Sequence, residues 1–180
     1  RMAKNQKIIF NSELYKLGIK QFDANLEQIL EIFSARKIPV FLSTIVSNEK
    51  DLKPMLSERT GQNIDDKQWD EKFANGEKLL LNGDTVKAYK IFSDLNKVDS
   101  TYALTHYYLG RIAYKAGKFS EAKACFKNAS ELDALRFRGP EQMNEIIRKK
   151  AGEFKNVILI NKKKIFEANL FRLDYLIRLI

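Results

Sequence analysis

Three side chains outside any helical repeat pattern carry the chemistry that a small polar site needs. Asn48 closes the apolar run IPVFLSTIVSN, where its amide is placed to donate to a developing oxyanion or substrate group, or to cap its own loop. Arg136 and Arg138 flank Phe137 just ahead of Gly139-Pro140. Their guanidinium forks would clamp a carboxylate or phosphate, or pair with Asp133 or Glu131 and lock the middle of the chain onto its flanks. Ser43, Thr44 and Ser47 have no base nearby in sequence and are not read as nucleophiles. The single histidine, His106, and the single cysteine, Cys125, leave no Cys/His cluster, so no metal or cofactor is expected. Cys125 reads as a small buried hydrophobe.

These residues need elements to hold them. Residues 38–46 form a β-rich apolar run of the kind buried on both faces. Ahead of it, residues 12–35 have a helical pattern with Leu14, Leu17, Phe22, Leu26, Ile29, Leu30 and Phe33 on one side. Residues 141–151 form a second amphipathic helix, with Pro140 suited to its first turn. VILIN, from Val157, reads as a second short buried strand. Two helix and strand units therefore bracket the middle of the chain, as in a parallel sheet whose crossover carries an insertion.

The middle is a repeat. Gly76 and Gly110, Gly83 and Gly117, Ala88 and Ala122, Phe92 and Phe126, and Asp99 and Asp133 are each 34 residues apart. That period, with Leu109-Gly110 and the Ala122, Phe126, Ala129 stripe, resembles the tetratricopeptide repeat. The first copy, from Trp69 to about Asp99, is looser, with Asn75 in place of the leucine. The resemblance implies a concave face on which Phe73, Glu77 and Leu80 line up with Tyr107, Arg111 and Tyr114. That face would grip an extended peptide or protein partner, or act as a lid over the flanking α/β part. His106 takes the position of a large packing residue and is read as one.

The flanks resemble the SGNH/GDSL-type hydrolases that carry an inserted tetratricopeptide segment. FLSTIVSNEKDLKPM matches that family's strand and loop at Leu42, Ser43, Thr44, Ser47, Asn48, Asp51 and Pro54. DALRFRGPEQMNEIIR matches a second block from Asp133 to Arg148, and NVILIN with KKIFEA is similar to a third. The resemblance implies a partial flavodoxin-like parallel-sheet domain and hydrolysis or transfer of an acyl or carbohydrate ester. It also implies a serine in a Gly-Asp-Ser block and a histidine in an Asp-x-x-His block, and neither block is present. In NLFRLDYLIRLI, Asp174 keeps the acid while Ile177 stands where the histidine would be.

Charge narrows the partners. Of the net +9, residues 1–60 carry +3, residues 61–135 carry zero and residues 136–180 carry +6. The clusters Arg148-Lys149-Lys150 and Lys162-Lys163-Lys164 read as solvated helix ends and loops, so nucleic acid is not favoured. No apolar run reaches the roughly 18 residues of a membrane span. The expected fold is α/β but mostly helical, with α/β parts at 1–60 and 136–180 around a two-repeat insertion at 61–135. Two functions follow: an ester hydrolase-like protein whose catalytic serine and histidine are missing from this chain, with an ester as substrate of the full-length protein, or a non-catalytic interaction module.

Overall fold

The computed structural model describes residues 7–61 and 65–162. In chain order the elements are α1 (Glu13–Ala35), β1 (Val40–Ser43), α2 (Asp66–Leu81), α3 (Thr85–Val98), α4 (Ala103–Lys115), α5 (Phe119–Leu132), α6 (Glu141–Glu153) and β2 (Val157–Ile160). The described chain is mostly helical. It divides into two units, one made of residues through Ser12 together with Asn48–Arg138, the other of Glu13–Ser47 with the residues from Gly139 onward.

The first unit is built on the repeat. α2 and α3 form one antiparallel helix pair, α4 and α5 the next. Both turns use the same device. Gly83 and Gly117 take φ of 82° and 76°, a conformation that only glycine adopts without strain. Around each, two amides cap the finished helix: Gly83 N–H donates to Leu80 O and Asp84 N–H to Leu79 O, just as Gly117 does to Tyr114 O and Lys118 to Ala113 O. Asp84 then starts α3 by accepting from the Lys87 amide at 3.1 Å.

Close helix approach is set by Gly76 and Gly110. A Cβ at Gly76 would lie 2.8 Å from the Phe92 ring, and one at Gly110 2.8 Å from the Phe126 ring. Asn75, in the leucine position of the first copy, does not disturb this geometry. Its core is aromatic: Trp69, Phe73, Ala88, Phe92, Leu95, Leu109 and Ile112 form one cluster. Phe73 meets Phe92 and Tyr102 edge to face at 5.4 Å each, and Tyr108 stacks on Phe92 at 4.9 Å. Tyr107, Ala113, Ala122, Phe126 and Ala129 form the cluster of the second copy.

The second unit departs from the sequence expectation in two ways. The strand expected over 38–46 is confined to Val40–Ser43, and the buried strands are half bare. β1 and β2 pair in parallel, with Phe41 opposite Ile158, and these two are 67% and 52% exposed. A parallel sheet is buried on both faces only when helices cover both, and here α6 packs on a two-stranded sheet. The flavodoxin-like expectation thus reduces, among the described residues, to one parallel pair.

α1 is the second correction. Of the expected stripe Leu30 is buried and Phe22 and Leu26 are half-buried, but Leu14, Leu17, Ile29 and Phe33 are exposed, and Tyr15 and Ile19 are buried instead. Apolar residues occur on more than one side of α1, and contact with α6 selects the side that is buried. That contact centres on Lys150, whose side chain is almost wholly buried, 3.0 Å from Glu27 and 3.5 Å from Asp23. The Glu27 hydrogen bond outweighs burial and, with Glu153 and Asp23, holds the Lys150 ammonium well above the usual lysine range. Asn144 fixes the strand end, accepting from the Ile45 amide at 2.7 Å and donating to its carbonyl at 3.0 Å. The KKIFEA match beyond Lys162, Lys163-Lys164, Asp174 and Ile177 lie outside the described residues. No helix among the described residues is long and apolar enough to cross a membrane.

The glycine spacing makes a paired prediction. Gly110→Ala should lower stability to urea by about 1–2 kcal/mol, because the added methyl overpacks Phe126. Gly18→Ala, in α1 with open space around it, should raise stability by roughly 0.5–1 kcal/mol through helix propensity. The same sign for both would contradict the packing assigned to Gly110.

Candidate functional site

Between β1 and α2, residues 48–61 form neither helix nor strand. From Lys50 on they form a strap across the first helices of both repeats, α2 and α4. The strap is held by its main chain. Asp133 accepts from the amides of Met55 and Leu56 at 3.0 Å each. Thirty-four residues earlier, Asp99 accepts from the amides of Thr60 and Gly61 at 3.1 Å each. Equivalent aspartates of successive repeats therefore each grip two neighbouring amides of one irregular segment. Charged acceptors of this kind make the stronger class of hydrogen bond.

Between these grips the strap completes a helix. Tyr102 at the N-cap of α4 makes no side-chain cap bond, and the Leu104 amide donates instead to Ser57 Oγ at 3.0 Å. The Leu56 carbonyl accepts from the Ala134 amide at 2.8 Å.

Cations of the strap lie on aromatic rings. Lys50 Nζ sits 4.7 Å from the Tyr114 ring centroid, Lys53 Nζ 5.3 Å from that of Tyr108, and the Arg59 guanidinium 5.4 Å from that of Trp69. Lys53 Nζ also donates to Tyr108 Oη at 3.0 Å and lies 3.8 Å from Glu77, to which the Tyr108 hydroxyl donates. Burial, then the bond to Glu77, raises the Tyr108 phenol above its ordinary range, so it stays a donor.

The residues picked out by repeat position separate in this setting. Glu77 and Tyr114 are under the strap, touched by Lys53 and Lys50. Phe73 and Tyr107 are buried in helix packing, and Leu80 is half-buried. Arg111 is exposed and donates to Tyr107 Oη at 3.1 Å.

Asn48, Arg136 and Arg138 have structural partners. Asn48 Oδ1 accepts from the Asp51 amide at 2.8 Å, the loop-capping arrangement. Arg138 is buried, ion-paired with Asp133 at 3.1 Å, and donates to the carbonyls of Leu52 at 3.0 Å and Asn48 at 3.3 Å. It thereby holds both Asp133 and the start of the strap. Arg136 donates through Nε to Ile8 O at 3.0 Å and through Nη1 to Glu131 O, with its guanidinium over the Phe10 ring. His106 is buried, and its Nε2 lies 2.8 Å from Ser100 O. A carbonyl can only accept, so Nε2 carries the proton and serves packing. Burial, then Glu121, raises the Cys125 thiol above its ordinary value.

Asp99, Asp133, Ser57 and Tyr108 were not singled out from sequence as site residues. The one signal was the 34-residue spacing of the two aspartates.

A tetratricopeptide repeat family model matches residues 103–134, which span α4, α5 and Asp133. Comparison with curated proteins and with solved structures finds no match. The chain thus carries a tetratricopeptide repeat, and nothing in the comparisons supports the hydrolase-type resemblance of its flanks.

The grip of Asp99 is titratable. Burial acts to raise its carboxyl, but hydrogen bonds from Thr101, Gly61 and Thr60 outweigh this and hold it below the ordinary carboxylate range. A depressed carboxylate contributes stability that is full above its unfolded value, about 3.9, and is lost as pH falls through the folded value. The Thr60 and Gly61 amide shifts, followed by NMR, should hold steady down to about pH 4 and move together below it. Asp99→Asn should abolish that acid transition. An unchanged transition in the variant would assign it to another carboxyl.

Proposed function

We propose that the chain is a non-catalytic interaction module whose repeat pair recognises a protein partner in extended form, the remaining helices and the two strands serving as scaffold. One observation carries this reading: a segment without regular structure lies across α2 and α4, its amides received by Asp99 and Asp133 just beyond α3 and α5 and its lysines over rings of α4. The matched repeat is consistent with it. Main-chain recognition leaves side chains to set specificity, a division of labour common to domains that bind extended peptides.

The immobilised chain should enrich a related set of sequences from a displayed library of 14-residue peptides. The variant Arg111→Glu with Tyr114→Ala should lose at least ten-fold of that enrichment while keeping its helical circular dichroism. No enrichment over an unrelated helical protein sinks the reading.

A second reading keeps the ester hydrolase-like α/β body, with 1–60 and 136–180 as its parts. What favours it is the parallel β1 and β2 pairing, Val40 opposite Val157, with α6 leading into β2. Against catalysis by this chain, its one histidine is bonded to a carbonyl inside the repeat. Purified chain should therefore hydrolyse p-nitrophenyl acetate no faster than a heat-inactivated sample, and turnover above that control would restore the enzyme reading.

A further inference from the structure

We propose that residues 50–61 are an intramolecular stand-in for the partner, so that the α2 and α4 face binds a basic extended peptide by exchange with the chain's own strap. This rests on the interaction reading above and gives it a ligand class and a regulatory step.

The ligand class follows from what the strap uses. Its recognition has two layers. The main-chain layer consists of two amide pairs, Met55 with Leu56 and Thr60 with Gly61, received by aspartates at equivalent repeat positions. Any extended peptide offers such amides at the same spacing. The side-chain layer consists of Lys50 and Lys53, three residues apart, and Arg59, over Tyr114, Tyr108 and Trp69. Glu77 adds a carboxylate beside Lys53. A face that sets acidic acceptors beside the half-buried rings of Tyr108 and Tyr114 favours cations and disfavours acidic segments, since a like charge set against Glu77 or Asp99 is repelled.

Pro54 is the one buried residue of the strap and Leu52 and Leu56 are half-buried, while the rest is held through polar contacts. Met55 is 47% exposed, and the Lys50 and Lys53 side chains are 33% and 49% exposed. Irregular segments held mainly by polar contacts open at lower free energy than helical cores. A competing segment that repeats the same contacts can then take the place of the strap.

Two measurements test this on the intact chain. In native-state hydrogen exchange the amides of Met55, Leu56, Thr60 and Gly61 should show at least 100-fold less protection than amides in the middle of α4. In fluorescence anisotropy a labelled peptide with the sequence of residues 48–61 should bind the Lys50→Glu, Lys53→Glu variant at least ten-fold more tightly than the unaltered chain. The same peptide with both lysines changed to glutamate should bind neither.

Equal affinity for the two forms, or no binding to either, overturns the exchange. So does strap protection equal to that of α4, a result that needs no variant to fold. The two failures are separable. A strap that opens only on global unfolding, with peptides still enriched by display, ends the exchange inference and moves the partner to another surface. No enrichment on either form ends the interaction reading itself.

Discussion

A carboxylate receiving two neighbouring main-chain amides is the interaction on which the first unit depends. It occurs at Asp99 and again at Asp133, and each aspartate sits where a second repeat helix has just ended. Each is itself held: Asp99 by the amide and hydroxyl of Thr101 at 2.8 and 2.6 Å, Asp133 by Arg138. A buried carboxylate left unpaired is strongly unfavourable. The donors around each aspartate are therefore a condition of its burial, and the strap supplies half of those described for Asp99. The strap thus adds to the pairing of both acids, beside Thr101 and Arg138.

This arrangement addresses a difficulty intrinsic to short repeat arrays. Each repeat buries its apolar face against a neighbour, and two repeats leave terminal faces uncovered. Here a segment from before the first repeat crosses both, capping α4 through Ser57 and bonding Ala134 through Leu56. It spans the pair at right angles to the usual logic of stacking, in which each repeat touches only the next.

What could be read in advance follows from what leaves a mark on side-chain identity. Gly83 and Gly117 were legible because positive φ selects glycine, and Gly76 and Gly110 because a ring occupies the space of a Cβ. The helix pairs followed from the same 34-residue spacing, even with Asn75 in a leucine position. The strap was illegible because its anchors are amides, which every residue but proline has, and its lysines look like any solvated lysines. Only the Asp99 and Asp133 identity pointed to it, without showing what the acids receive. The buried side of α1 was misjudged because Leu14 and Leu17 are as apolar as Ile19, and which is covered is decided by Lys150 and its carboxylates across the helix contact. Asn48, Arg136 and Arg138 were placed between binding and structural roles, and each makes a structural contact.

Four residues of sequence separate Gly61, the last residue of the strap, from Asp66, the first of α2, so the strap is tethered to the repeats it crosses. A tethered segment on a short connection has an effective concentration of order millimolar. A free peptide making identical contacts would need about that concentration to occupy half of the sites, whatever its affinity for the bare face. Useful partners must therefore do more than imitate residues 50–61. They must bring contacts the strap lacks, or arrive tethered nearby themselves. The tether thus sets a threshold, so weak basic peptides are ignored and only a better match is admitted.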